Sequence, residues 1–194
     1  MLVIILSLLI SVIIHEVAHG YVANRLGDPT ARLQGRLTLN PIAHLDWLGS
    51  VLLPGMMLVL GAPFFIGWAK PVPVNPRYFK DPSRDMMIVA LAGPASNLCL
   101  ALAGSVMLHQ GVALDTAFII RQFITINSVL MMFNLLPIPP LDGSRVLAHV
   151  MPAWRQQISR LEPYGFVIIL VLAYTGILSD VLRVILPPVL RLVL

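Results

Sequence analysis

The chain has 194 residues, 58 % hydrophobic and only 11 % charged, with a mean hydropathy of +0.87. A soluble domain carries about 25 % charged residues, so this chain lacks the polar surface to face water and reads as an integral membrane protein. Its net charge of +4 forms no dense basic cluster interleaved with aromatics. That argues against nucleic acid as a partner and suits the loop bias that orients membrane proteins.

Residues 1–23 read as a first spanning helix, long enough for a hydrocarbon core of roughly 30 Å. No charge occurs from Met1 to Ile14. The segment lacks the basic start and small-residue cleavage site of a signal peptide. Its end carries His15, Glu16 and His19 in an H-E-x-x-H pattern. Positions i and i+4 share one face of a helix, so both imidazoles can reach one metal ion. Glu16 can then take a proton from metal-activated water and deliver it to a leaving amine. A wet, solvent-facing turn is the plainer reading. Against it, an idle carboxylate in a spanning helix costs roughly 2.5–3.5 kcal/mol.

Gly27-Asp28-Pro29 ends this helix with turn chemistry. From Arg32 to Leu39 polar and apolar residues alternate, which predicts a half-buried strand stopped by Asn40-Pro41. Residues 48–67 are apolar but broken by Gly49, Pro54, Gly55, Gly61 and Pro63. The run from Gly67 to Pro76 is Pro-rich and extended, suited to a sheet edge, with Trp68 at the membrane interface.

Residues 86–108 read as a second spanning helix, entered through Asp81 to Asp85 and containing Ala92-Gly93-Pro94-Ala95-Ser96-Asn97. Small residues there permit close helix contact. Cys99 is a buried small hydrophobe with no disulfide partner. Residues 116–136 read as the next span, broken by Pro137, Pro139 and Pro140 just before Asp142-Gly143. Residues 164–179 predict a last apolar helix, and Ser179 to Leu194 a short amphipathic or partly inserted tail. The fold class is therefore an all-α membrane protein: a polytopic bundle of about four spanning helices, a re-entrant or interfacial apolar segment and a small β element. It forms one domain over residues 1–194, with a core of about 1–150.

A catalytic zinc site wants three protein ligands and one open position. The third is to be found among the carboxylates and His44, His109 and His149. Asp142 is best placed, because irregular backbone at membrane depth is tolerated only around a protein-lined cavity. Asp-Gly is equally at home in a plain turn.

The combination of these motifs resembles the site-2 protease family of intramembrane zinc metalloproteases. It rests on His15 to His19, on Ala92 to Asn97 (A-G-P-x-x-N) and on Asn134 to Gly143 (N-x-x-P-x-P-x-L-D-G). The run Gly67 to Pro76 is also similar to bacterial members, and the resemblance covers roughly residues 1–150. It implies that His15, His19 and Asp142 bind Zn2+, that Glu16 is general base and acid, and that Asn134 helps hold the substrate carbonyl or its oxyanion. Asn97, with Gly93 and Pro94, would touch substrate; a helix-packing hydrogen bond is the other reading of Asn97. The expected substrates are membrane proteins, single-span ones above all, in the lipid bilayer of a bacterial cell (inner) membrane. No stretch is long enough for an added PDZ or CBS domain, as in minimal members of the family.

Metal ligands must lie at one membrane depth. His19 closes the first helix and Asp142 follows the third, so both helix ends face the same side. The short turn near His109 to Asp115 makes the second and third helices antiparallel. Residues 48–67 are therefore expected not to span the bilayer, but to dip in and return or to lie along the interface. With no crossing there, Arg25, Arg32, Arg36, Lys70, Arg77, Lys80, Arg84, Arg145, Arg155 and Arg160 share one face, cytoplasmic by the positive-inside rule. The active site is expected to open nearer that side.

Overall fold

A computed structural model describes residues 2–59, 61 and 69–194. Its helices are α1 (Leu2–Arg25), α2 (Thr30–Leu33), α3 (Leu53–Val59), α4 (Pro82–His109), α5 (Leu114–Asn134), α6 (Asp142–Val150), α7 (Arg155–Leu161), α8 (Gly165–Tyr174) and α9 (Ile177–Val193). Helices α1, α4 and α5 are long and apolar enough to span a membrane. A fourth span exists if the segment Pro152–Tyr174 and α9, which meet at an 81° bend, count as one. The apolar segment expected to run unbroken over 164–179 stops at Tyr174, where Gly176 (φ 81°) turns the chain. A left-handed residue cannot continue a right-handed helix.

Helix α4 is the central element and packs on α1, α5 and α6. Cys99, expected to be buried, is exposed, because it shares the outward face of α4 with the exposed Leu91 and Leu102. Asp81 caps it, accepting hydrogen bonds from the backbone N–H groups of Ser83 and Arg84, with Pro82 opening the first turn. That is the N-terminal chemistry helices favour. Helix α1 shows the inverted pattern of a membrane element. Ser7, Ser11, His15 and His19, spaced four apart, are buried, while Ile4, Ile5, Leu8 and Ile10 are exposed. The polar stripe thus faces protein and the apolar face meets lipid, which satisfies polar groups that hydrocarbon could not.

The strand expected over Arg32 to Leu39 is not formed, and no strand occurs among the described residues. Residues Thr30–Leu33 are helical and a turn follows at Gln34-Gly35. The alternation reflects a different constraint. Arg36 is buried, and its guanidinium donates to the carbonyls of Ala43, Lys70 and Pro71. Residue 36 thus faces inward to clamp loops together, and no partner strand is needed for its burial. The Pro-rich run forms neither helix nor strand over residues 69–75, and Asn75 at its end is extended (φ −115°, ψ 101°). Gly67, Trp68 and Pro63 fall outside the described residues. In the interrupted apolar stretch, Trp47–Leu52 is a π-helical turn that leads into α3. At a rise of 1.5 Å per residue these two elements extend only about 20 Å, short of a hydrocarbon core.

Candidate active site

The site lies where α1, α4 and the start of α6 meet. His15 and His19 project from α1 on one face, four residues apart, as helical periodicity requires. Asp142 is the first residue of α6, so the Asp-Gly pair opens a helix here and does not form an isolated turn. His15 Nε2 lies 3.0 Å from His19 Nε2. Asp142 Oδ2 lies 3.2 Å from the first and 3.3 Å from the second. These three residues form a group able to hold a metal ion.

The other ring nitrogens decide what the converging atoms can do. His19 Nδ1 is 2.7 Å from the carbonyl oxygen of Val89, which can only accept, so Nδ1 carries the proton. His15 Nδ1 is 2.6 Å from Asn97 Oδ1 and donates to it. Both Nε2 atoms are then lone-pair donors in the neutral rings. They face the buried Asp142 Oδ2, an oxygen left without a hydrogen bond. Three lone-pair atoms at this spacing repel one another unless a cation sits among them. Tetrahedral ligands about 2.0–2.2 Å from one zinc ion stand about 3.3–3.6 Å apart. The donor set fits zinc, and the three separations lie at or a few tenths of an ångström below that spacing.

Gly93 makes this approach possible. A Cβ at that position would sit 2.5 Å from His15 Cε1 and Nε2, so only glycine lets the α4 backbone meet the imidazoles. Pro94 is buried inside α4.

Glu16, His15, His19, Asp142 and Asn134 all line one open cleft of about 900 Å³. Glu16 Oε2 accepts a hydrogen bond of 2.8 Å from the backbone N–H of Val72 in the Pro-rich run. That run is held at both ends. Arg36 binds the carbonyls of Lys70 and Pro71, and the fully buried Asp28 accepts from Asn75 N–H at 2.6 Å. Asn134 donates from Nδ2 to the Leu130 carbonyl at 2.9 Å, which occupies one of its two amide protons. Asn97, Gly93 and Pro94 do not line the cleft; Asn97 is fully buried behind His15. Three contributors escaped the sequence reading: the Val89 carbonyl, the Val72 amide and Asn127, whose Oδ1 accepts from Asn97 Nδ2 at 2.9 Å. The backbone groups have no signature in sequence. Asn127 had one, as a polar amide inside a run apolar enough on average to span a membrane.

An apolar helical bundle enclosing two imidazoles and two carboxylates in one cleft defines a multi-pass membrane metalloprotease. The profile of peptidase family M50 matches residues 3–119 and 102–175. The chain belongs to peptidase family M50, the zinc metalloprotease family its motifs resemble. It is 46 % identical over 189 residues to "Putative zinc metalloprotease YwhC" of Bacillus subtilis, covering 92 % of this chain and 83 % of that one. It is 33 % identical over 186 residues to "Putative zinc metalloprotease Rip2" of Mycolicibacterium smegmatis, covering 92 % and 69 %. No solved structure matches the chain.

Proposed function

We propose that the protein hydrolyses peptide bonds within or next to transmembrane segments of membrane proteins, single-span substrates above all, as a step of regulated intramembrane proteolysis in a bacterial cell membrane. The observation that carries this reading is the convergence of His15 Nε2, His19 Nε2 and Asp142 Oδ2 beside Glu16, in a cleft between helices long and apolar enough to span the bilayer.

In this reading His15, His19 and Asp142 hold zinc, which when bound supplies Lewis-acid polarisation of a carbonyl and a more acidic water. Glu16 takes the proton of the attacking water and returns it to the departing amine. The Val72 N–H holds one Glu16 oxygen and leaves the other for that exchange. Asn134 retains one amide proton, beyond its bond to Leu130, to donate where negative charge develops on the substrate oxygen.

A helical substrate shields its peptide bonds, because each carbonyl already accepts a hydrogen bond. Cleavage therefore requires local unwinding. Val72 and Val74 of the Pro-rich run line the cleft, and with the Val72 N–H taken by Glu16, Val74 offers backbone for pairing with an unwound substrate. Arg32 to Leu39, expected to form a strand, is turned and clamped and offers no such edge.

Purified protein in detergent, incubated with a set of single-span membrane proteins, tests the reading. The parent should cleave at least one of them. Glu16→Gln should abolish cleavage and keep its zinc, and Asp142→Ala should lose both. Cleavage by Glu16→Gln, or full activity in Asp142→Ala, would refute it.

A further inference from the structure

We propose that Asn127 of α5 is a positioning residue for His15, the far end of a hydrogen-bond relay whose fixed polarity keeps the cleft-facing nitrogen of His15 free of its proton. The inference rests on the reading of His15 as a zinc ligand.

The two imidazoles are held differently. His19 Nδ1 faces a backbone carbonyl, and a carbonyl can only accept, so one contact sets its tautomer. His15 Nδ1 faces the side chain of Asn97. An amide can present either its oxygen or its NH2. Turned over, Asn97 would donate to His15 Nδ1 and push the ring proton onto Nε2, towards Asp142, where it would block a metal. Something must fix which end of Asn97 points at the ring.

Asn127 does so. Its Nδ2 donates to the Phe123 carbonyl at 2.9 Å, an acceptor with no other option. Its Oδ1 therefore points the other way and accepts from Asn97 Nδ2 at 2.9 Å. Asn97 is left with Oδ1 for His15 Nδ1, at 2.6 Å. The chain runs one way only, from His15 through Asn97 and Asn127 to a helix carbonyl. Asn97 and Asn127 are both fully buried, away from bulk water that could substitute for a missing partner. The carbonyl of Ser11 pulls Asn97 Nδ2 in the same sense but from 3.4 Å, at the limit of a hydrogen bond. Loss of Asn127 should therefore weaken the bias without removing it. The plainer role for an Asn–Asn pair is adhesion between α4 and α5.

Two readouts on the full chain in detergent separate these roles. Zinc affinity is measured by competition with a chromophoric chelator. The tautomer of His15 is read from imidazole 15N shifts of the metal-stripped, 15N-histidine-labelled protein, with His15 assigned by its loss in His15→Ala. Asn127→Leu should weaken zinc binding about 10–100-fold, the usual effect of losing an outer partner of a ligating histidine. It should also move His15 towards the form protonated at Nε2. Should Asn127→Leu not fold, Asn127→Ser serves: its hydroxyl can bond back to the helix as Ser128 does to Ile124, but it is shorter than Asn by the atoms that reach Asn97.

The same changes are then made in an Asn97→Asp background. A carboxylate has only acceptors to offer His15, so its orientation needs no second residue. There Asn127→Leu or Asn127→Ser should change zinc affinity less than about threefold. Parental affinity and tautomer in the single variants would overturn the proposal. So would an equal loss in both backgrounds, which is the mark of packing alone. The tautomer readout uses no metal and no substrate, so it is independent of whether the protein proves to be a protease.

Discussion

The backbone N–H of Lys70 donates to the carbonyl of His44 at 2.9 Å. The residues that flank the interrupted apolar stretch therefore meet, at one depth in the fold. A chain that starts and finishes at the same point has not changed sides, which agrees with the parity required by His19 and Asp142. Single cysteines at Arg32 and Lys70, with Cys99 replaced, should label with an impermeant maleimide from one side of the membrane. A cysteine at Gln110, in the turn between α4 and α5, should label from the other side. Opposite sidedness of positions 32 and 70 would show that the stretch crosses. Gly27 is a poor site for such a label, since its φ of 111° disfavours any side chain.

The Val72 amide holds Glu16, so proteolysis should depend on a backbone proton far from the motif in sequence. Val72→Pro removes that proton between two residues that are already prolines. A hydrogen bond to a charged group is worth about 1.5–3 kcal/mol. Cleavage should therefore fall about 10–100-fold, with zinc content unchanged. A matching loss of zinc would assign Val72 to the metal site, and undiminished cleavage would show that Glu16 needs no such support.

Gly93→Ala tests the closeness of α4 to the imidazoles. The added methyl must displace two rings at the position where their nitrogens converge. Overpacking of this kind costs about 1–3 kcal/mol. Zinc affinity should fall about 5–150-fold by the same free energy. Gly55→Ala, whose added Cβ meets none of the described residues within 4 Å, is the matched control and should be silent.

Asp81 caps α4, one residue before its first turn. The N–H of Arg84, and after it that of Ser83, hold its carboxyl below the ordinary value of 3.8. A depressed carboxylate stabilises the fold fully above its unfolded pKa and loses that contribution as pH falls through its folded one. Hydrogen-exchange protection of the Ser83 and Arg84 amides should be constant above about pH 5 and decline below the ordinary carboxylate range. Asp81→Asn should flatten that dependence. A steep acid loss persisting in Asp81→Asn would place its origin elsewhere.

What the sequence determined was whatever one helix or one run of residues can encode alone. Helical periodicity put His15 and His19 on one face before any fold was known. Runs of about 20 apolar residues marked α1, α4 and α5, because membrane thickness sets helix length. The three prolines before Asp142 announced a broken helix end. Only the tertiary structure decided the rest, since it depends on groups far apart in the chain. His15 meets Asn97 across 82 residues and His19 meets the Val89 carbonyl across 70. These contacts set which nitrogens face the cleft, and nothing local encodes them. The alternation from Arg32 to Leu39 looked like a strand because a period of two reports burial on one side and not what causes it. Here the cause is a buried guanidinium drawn to the carbonyls of Ala43, Lys70 and Pro71, partners that exist only once the loops have come together.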